Sequence, residues 1–263
     1  PSNVTASTAH SLAFRAVGKR FAKRLNARRV PGDVIARQLG IRSMDVNVGG
    51  AGRRNLAAGF LAGHVMRAMT RFCQTADPAP ARQHVGYIDG IDLPDDEGQR
   101  TYENNNLVRD YLVPFLARAW ADLTDPDGQL PYRHDHYLKL WQLSDPVVDA
   151  EFILFDEVQD ADPVMADIVL RQQARGAQVV LVGDSQQAIY EWRGAINAFE
   201  LFGLDETTYL TQSWRFGDAI AEQANAVLAM IPDAVLRLVG TPGAASAVAV
   251  VEAPRAVLCR TNA

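Results

Sequence analysis

Two short apolar runs near the middle of the chain constrain its fold more than any other feature. Residues 152–155 (FILF) and 179–182 (VVLV) are continuous apolar stretches, typical of strands that are covered on both faces in a parallel sheet. Between them, Asp162 and Pro163 predict the start of a helix, and Gly176 predicts its end. Strand, helix and strand at this spacing predict a parallel sheet of the α/β class.

Helical periodicity dominates the first half of the chain. The pattern between residues 28 and 143 is helical and rich in loops, with little strand character. Helices are predicted at residues 8–25, 54–75, 103–123, 134–143 and 218–230. Short strands are predicted at residues 3–7, 207–210, 247–251 and 256–259. A linker rich in glycine, proline and alanine precedes the last two strands.

Charge is distributed unevenly along the chain, although the net charge is −5. Residues 1–54 contain eleven lysines and arginines against two aspartates, and the acidic excess lies later. Such a basic region is compatible with binding of phosphate groups, and equally with a solvated helix face. Charge alone therefore selects neither interpretation.

Cysteine content and hydropathy exclude several classes of protein. Cys73 and Cys259 are the only cysteines and lie outside any CxxC spacing, so a zinc site or disulfide framework is not expected. A reducing compartment is expected, either the cytoplasm or, in a bacterium, the nucleoid. No apolar run approaches the roughly 20 residues that a membrane helix needs, so no membrane partner is expected.

The first apolar run ends in two adjacent carboxylates, Asp156 and Glu157. Ligands bind at the carboxyl ends of parallel strands, and paired carboxylates there suit metal-assisted phosphoryl transfer. Asp156 is then expected to hold Mg²⁺, and Glu157 to polarise an attacking water. From these residues alone, an acidic pair that starts a loop or caps a helix remains an open alternative.

Five segments resemble, in order, the conserved boxes of the UvrD/Rep helicases. They are residues 8–11 (TAHS), 156–160 (DEVQD), 183–195 (GDSQQAIYEWRGA), 210–216 (LTQSWRF) and 255–262 (RAVLCRTN). Two positions depart from the family pattern: Ala9 replaces the aromatic residue of TFHS, and Trp214 stands where the family usually has tyrosine. The match in order and spacing covers most of the chain.

A closer resemblance is to the F-box DNA helicase branch of this family. It is carried by residues 1–4 (PSNV), 10–13 (HSLA), 134–143 (HDHYLKLWQL) and 210–217 (LTQSWRFG). The segment YLKLWQL is the most distinctive of these. No F-box is visible in the chain, so the resemblance implies kinship of the motor alone.

The resemblance implies a binding site for ATP and Mg²⁺. Asp156 and Glu157 take the roles given above, and Gln187 contacts the γ-phosphate and the attacking water. Arg215 stabilises charge on the γ-phosphate as an arginine finger supplied within the chain. Trp214 stacks on the adenine in place of tyrosine.

The resemblance also implies a path for single-stranded DNA. Trp192 stacks on an unpaired base, and Tyr190 and Arg193 support that loop or contact the DNA backbone. Thr8 and His10 belong to the TAHS segment, which is expected to contact DNA. Two alternatives stay open, because Trp192 also suits a core aromatic position and His10 also suits a helix start.

The phosphate-binding loop of such a motor, GxxxxGK[ST], is absent from the sequence. The resemblance therefore implies a partial RecA-like P-loop NTPase sheet lacking the P-loop, with a mainly helical inserted subdomain. The predicted division is residues 1–27 as the first part of RecA-like domain 1A, 28–130 as a helical 1B-like insertion, 131–232 as the remainder of 1A, and 233–263 as a linker and the start of domain 2A.

The function implied is that of a fragment of an ATP-dependent DNA helicase or translocase, in a setting such as DNA repair. Its expected partner is single-stranded DNA or a junction of single strand and duplex. The alternative is a truncated, non-catalytic module that binds single-stranded DNA or a protein partner; a helicase–nuclease is a weaker third option, without a nuclease motif. Because the phosphate-binding loop is missing, this polypeptide alone is expected not to hydrolyse ATP measurably.

Overall fold

A computed structural model shows a mixed α/β protein with many helices and two small sheets. It describes residues 3–25, 30–48, 52–94, 101–184, 187, 198–231, 236–250 and 252–253. The chain divides into two compact units, Pro1–Gly203 and Leu204–Ala263. Among the helices within the described ranges, none has both the length and the apolar composition to span a membrane.

The first unit contains seven helices within the described residues. They are α1 (Ala9–Ala16), α2 (Ala22–Leu25), α3 (Gly32–Leu39), α4 (Ala58–Phe72), α5 (Glu103–Thr124), α6 (His134–Leu143) and α7 (Pro163–Ala174). Short 3-10 segments lie at Gly18–Phe21, Arg82–His84, Val158–Asp160 and Ala198–Leu201. The predictions for α5 and α6 are confirmed almost to the residue.

The single helix predicted over residues 8–25 is divided into α1, a 3-10 segment and α2. Thr8 caps α1, and its hydroxyl oxygen accepts a hydrogen bond from the Ser11 amide at 3.1 Å. The division falls at Gly18, where a β-carbon would lie 2.6 Å from Cδ2 of Phe14 and 3.0 Å from the ring of Tyr137 on α6. The absence of a side chain at Gly18 therefore lets the chain turn closely against α6.

Helices α3, α4 and α5 bury one continuous apolar core with α1 and α6. Its largest fully buried side chains include Phe21, Leu61 and Leu116. The backbones of α3 and α4 approach closely, since a β-carbon on Gly32 would lie 2.7 Å from the carbonyl oxygen of Gly59. Two glycines facing each other thus permit the contact between these helices.

An antiparallel hairpin, β1 (Met44–Asn47) with β2 (Arg53–Leu56), lies in the region predicted to be helical. The prediction of a helix beginning at residue 54 is therefore wrong, and α4 begins at Ala58. Backbone groups of Arg53–Leu56 pair with β1 and are not available to a helix. Only Val46 and Leu56 of the two strands are buried, so each strand carries too short an apolar alternation to be recognised locally.

The predicted strand–helix–strand unit is confirmed as β3 (Phe152–Phe155), α7 and β4 (Gln178–Leu181), with β3 and β4 parallel. Asp162 caps α7, its carboxylate accepting from the Met165 amide at 2.9 Å, and Gly176 ends it with φ of 99°. Phe152 and Leu154 are 60% and 72% exposed. One face of this strand pair is thus uncovered in the described structure, whereas the sequence predicts cover on both.

The second unit contains α8 (Asp218–Leu228) among its described residues, close to the helix predicted at residues 218–230. The strands predicted at residues 3–7, 207–210 and 247–250 do not form. Tyr209 and Leu210 are 62% and 80% exposed, and a strand without a neighbour has no partner for its backbone hydrogen bonds. Gln212 and Val239 instead form an isolated parallel bridge. The strand predicted at residues 256–259 lies outside the described residues.

A fully buried lysine, Lys139, connects α6 with the loop that follows α4. Its ammonium group donates to the carbonyl oxygens of Thr75 at 2.7 Å and Asp77 at 2.6 Å, and to Oε1 of Gln142 at 2.8 Å. The Gln142 amide in turn donates to Asp167 on α7 at 2.6 Å. Burial lowers the pKa of Lys139 to about 8, although the nearby Cys73, Asp77 and Asp167 act in the opposite direction. The hydrogen bonds of Lys139 and Gln142 together join three segments across the core.

We expect Lys139→Met to destabilise the protein. The methionine keeps the apolar stem but leaves three buried acceptors without a donor, a loss on the order of 1–3 kcal/mol. Urea unfolding followed by circular dichroism measures the change. The matched control is Lys23→Met, which removes an exposed lysine from α2. If both variants unfold at the same urea concentration as the wild type, the structural role assigned to Lys139 is wrong.

Candidate functional site

Asp156 and Glu157 lie directly after β3, at the carboxyl end of the parallel strand pair, and both are exposed. A carboxylate oxygen of Asp156 accepts from the Glu157 amide at 3.0 Å. Glu157 has the left-handed backbone conformation, with φ of 52° and ψ of 43°, which is uncommon for a residue with a side chain. Val158 then donates its amide to the carbonyl of Val182 at 3.1 Å and so ties this turn to the end of β4.

Gln159 connects the two strand ends through its side chain. Its amide nitrogen donates to Oε2 of Glu157 at 2.6 Å, and its Oε1 accepts from the backbone amide of Asp184 at 3.0 Å. Gln159 is 2% exposed, so its end of both partly buried bonds is inside the protein. A β-carbon on Gly183 would lie 2.3 Å from the same Oε1, which explains why glycine suits that position.

Sequence reasoning included Gln159 in a motif but gave it no role. The available signal was its place two residues after a carboxylate, in a turn facing the next strand. Such a position lets one amide side chain bond both neighbouring segments. We therefore add Gln159 to the candidate site as the residue that orients Glu157.

Gln187 is the one described residue of the segment from 185 to 197. Its backbone amide donates to the Asp184 carbonyl at 2.9 Å, and its side-chain amide donates to Oδ2 of Asp184 at 2.8 Å. The structure thus brings Asp156, Glu157 and Gln187 to the same edge of the sheet. Tyr190, Trp192 and Arg193, predicted to contact DNA, lie outside the described residues.

Residues 156–160, which follow β3, are here called the acidic turn. Its last residue, Asp160, carries a buried Oδ1 without a hydrogen-bond partner among the described residues. Burial, and then the charge of Glu157, raise the pKa of Asp160. A negative charge on Asp160 is therefore disfavoured by burial and by the neighbouring Glu157.

The donor chemistry of this edge fits a magnesium ion in part. Mg²⁺ in phosphoryl-transfer sites is bound by one or two carboxylates and completed by water and phosphate oxygens, so Asp156 suffices as a protein ligand, with Glu157 nearby. Among the described residues, no group of three or more His, Cys, Asp or Glu side chains could hold a metal by itself. The histidines of α6 form hydrogen bonds within the protein: Nδ1 of buried His136 accepts from the Arg133 amide, and Nδ1 of His134 lies 2.9 Å from the Tyr137 hydroxyl.

Trp214 and Arg215 lie in the second unit, on a loop held by backbone and side-chain bonds. Ser213 donates its amide to Val239 at 2.8 Å, Thr241 donates to the Ser213 carbonyl at 2.7 Å, and the Arg215 amide donates to the Ser213 hydroxyl at 3.2 Å. The Trp214 side chain is 78% exposed, which leaves its aromatic face available for stacking.

Thr8 and His10, predicted to contact DNA, are both engaged within the protein. The Thr8 hydroxyl oxygen caps α1, and Nε2 of half-exposed His10 lies 3.2 Å from a carboxylate oxygen of Asp135 on α6. The hydrogen bond from His10 lowers the pKa of Asp135. His10 therefore fixes α1 on α6, and contact of either residue with DNA stays a prediction.

The basic N-terminal region is not uniformly a solvated face. Arg24 is buried, where its guanidinium pairs with Asp122 at 2.9 Å, donates to the Leu130 carbonyl and stacks over Tyr132. This arginine is structural, whereas its neighbours Lys19 and Lys23 are exposed.

We expect Gly183→Ala to displace the Gln159 side chain, because the new β-carbon would overlap its bonded oxygen. Losing the two buried hydrogen bonds should cost about 1–3 kcal/mol in stability and speed hydrogen exchange at the Asp184 amide. Urea unfolding and amide exchange by NMR measure both effects. The matched control is Gly203→Ala, because a β-carbon on Gly203 meets nothing within 4 Å. An Asp184 amide equally protected in both variants would count against the bridge.

Comparison with known proteins agrees with this geometry. The family model of the UvrD/REP helicase N-terminal domain matches residues 139–203, which include α7, β3, β4 and the acidic turn. The chain is 30% identical over 247 residues to F-box DNA helicase protein 1 of Schizosaccharomyces pombe, covering 88% of this chain and 26% of that protein.

Two further relatives extend the comparison. F-box DNA helicase 1 of Gallus gallus is 32% identical over 227 residues, covering 84% of this chain and 21% of the relative. DNA helicase II of Haemophilus influenzae is 34% identical over 180 residues, covering 62% of this chain and 24% of the relative. The chain thus spans about a quarter of the length of these curated relatives. With its motifs in family order and its carboxylates at the strand ends, the chain belongs to the UvrD-like superfamily 1 helicases.

Proposed function

We propose that the protein is part of an ATP-dependent DNA helicase or translocase that moves on single-stranded DNA. The observation that carries this proposal is the bridge by Gln159 between Glu157 and Asp184. It joins a carboxylate suited to activating water with the segment that leads to Gln187. Curated relatives named DNA helicases support the substrate class.

The strand–helix–strand unit belongs, in this proposal, to a RecA-like parallel sheet. Support comes from the exposed apolar side chains of β3, because a larger sheet with helices on both faces would bury Phe152 and Leu154. Val180 on β4, 42% exposed, belongs to the same apolar surface. Residues 28–130, which contain α3, α4 and α5, form the inserted subdomain.

In the catalytic step, Glu157 accepts a proton from the water that attacks the γ-phosphorus of ATP as the bond to ADP breaks. Asp156 would hold Mg²⁺, which would neutralise charge on the phosphate oxygens. Gln159 keeps the Glu157 carboxylate oriented by donating to one oxygen, and the other oxygen remains available to the water. Gln187 senses the γ-phosphate, and Arg215 stabilises the charge that develops on it.

Coupling to DNA follows from the position of Gln187 in the same segment as Trp192. A change in the contacts of Gln187 on loss of the γ-phosphate shifts the residues that follow it. Because Trp192 stacks on a base, this shift changes how tightly the protein binds the DNA strand. Trp214 stacks on the adenine. The compartment in which the protein works, the cytoplasm or nucleoid, stays a prediction.

We expect the two tryptophans to separate DNA binding from nucleotide binding. Trp192→Ala should weaken binding of oligo(dT) by about 1–3 kcal/mol, the usual contribution of one stacked base. Trp214→Ala is the matched control and should leave oligo(dT) binding unchanged, while weakening ATP binding in the full-length protein. Fluorescence anisotropy with labelled oligo(dT) and with a labelled ATP analogue measures both affinities. Unchanged DNA affinity in Trp192→Ala would contradict the proposal.

A further inference from the structure

Three arginines, Arg67, Arg71 and Arg109, form a cluster on the helical part of the first unit, here called the arginine cluster. Arg67 and Arg71 lie one turn apart on α4 and share a face of that helix. Arg109 lies on α5. The segment of residues 82–87 accepts hydrogen bonds from both Arg71 and Arg109. It therefore brings the guanidinium group of Arg71 on α4 near that of Arg109 on α5.

Two of these guanidinium groups are fixed in place by uncharged acceptors. Nε of Arg71 donates to the carbonyl of His84 at 2.7 Å, and its guanidinium lies against Gly86, where a β-carbon would be 2.6 Å from Nη2. Arg109 donates to the carbonyl of Arg82 at 3.2 Å and to the Tyr87 hydroxyl at 3.1 Å, and its Cζ lies 4.7 Å from the centre of the Tyr87 ring.

Within the described residues, none of the three arginines is paired with a carboxylate. The carboxylates bonded to the same segment are already engaged, Asp110 with Arg82 and Asp77 with His84. Nε of Arg109 is buried and has no hydrogen-bond partner in the part of the chain that the structure describes. The positive charge is therefore concentrated and not neutralised by these neighbours.

The cluster perturbs its own members and its neighbour His64. Burial, followed by the charges of Arg67 and Arg109, lowers the pKa of Arg71. Burial, followed by the charges of Arg67 and Arg71, lowers the pKa of His64 to about 4. Burial is the larger cause in both groups, and the positive charge of the neighbouring arginines adds to it; a bound anion would offset that charge.

Arg67 distinguishes an anion site from simple anchoring of the segment. Arg71 and Arg109 hold backbone carbonyls, so their position alone has a structural explanation. Arg67 is exposed and has no hydrogen bond or ion pair with any described residue, yet it lies where its charge acts on Arg71 and His64. An unbonded guanidinium beside two fixed ones is the arrangement that a phosphate group can bind with several donors at once.

We propose that the arginine cluster binds a phosphodiester of the DNA backbone, through residues other than those of the acidic turn and other than Trp192. This inference rests on the proposed function, because that function supplies DNA as the phosphate-bearing partner. Contacts to phosphate position a protein on DNA without reading its sequence. The cluster therefore adds affinity and salt dependence, and no base preference.

The test compares the purified protein with Arg67→Gln, because Arg67 anchors no other segment and its loss leaves the fold intact. Anisotropy with labelled single-stranded and partly duplex oligonucleotides is measured over a range of NaCl concentrations. Loss of one phosphate contact should make the slope of log K against log salt shallower by about 1. The matched control, Arg37→Gln, removes an exposed arginine of α3 that faces Asp33, and should keep the wild-type slope.

A parallel thermal-shift titration with inorganic phosphate distinguishes DNA from a free anion. Stabilisation by inorganic phosphate that Arg67→Gln abolishes, with an unchanged slope for DNA, would overturn the assignment to the DNA backbone. Retained DNA binding with equal slopes and no phosphate effect would overturn the site altogether, and leave the proposed function standing. Absence of DNA binding by every protein tested would overturn both.

Discussion

The buried amide of Gln159 is the interaction on which the candidate site depends. The backbone places Glu157 in the left-handed conformation, and nothing in an exposed turn would by itself keep that carboxylate oriented. Gln159 supplies the constraint by bonding Glu157 with one end of its amide and the Asp184 backbone with the other. The glycine at 183 leaves room for this arrangement. The Gln159 side chain thereby connects the residues that follow β3 with those that follow β4.

The helical part of the first unit supports that connection through polar groups buried between helices. Lys139 holds the loop after α4 against α6, and Gln142 passes the connection to Asp167 on α7. Helix α7, which lies between β3 and β4 in the sequence, packs beside β4. On the other side, the pair of His10 with Asp135 fixes α1 on α6. The segment that contains His10, expected to contact DNA, therefore packs on α6, the helix that precedes β3.

Local chemistry was sufficient to predict the elements whose ends are marked by capping residues. The cap at Asp162 and the glycine at 176 defined α7, and the apolar runs defined β3 and β4, so the carboxylates could be placed at a strand end. The hairpin of β1 and β2 was not predicted, because its pairing joins residues of which few have buried side chains. The bridge by Gln159, the buried Lys139 and the arginine cluster could not be predicted, since each depends on contacts between distant segments. The strand expected at residues 207–210 does not form, because a segment with strand propensity but no neighbouring strand leaves its backbone hydrogen bonds unmade.

The proposed function depends on Glu157 acting on water at the end of β3. The most direct measurement is DNA-stimulated ATP hydrolysis by the full-length protein carrying Glu157→Gln, with ATP and DNA affinities determined in parallel. The substitution keeps the size of the side chain and removes its ability to accept a proton. We predict a fall in turnover of about 100-fold or more, with both affinities retained. Turnover close to that of the wild type would contradict the role assigned to Glu157.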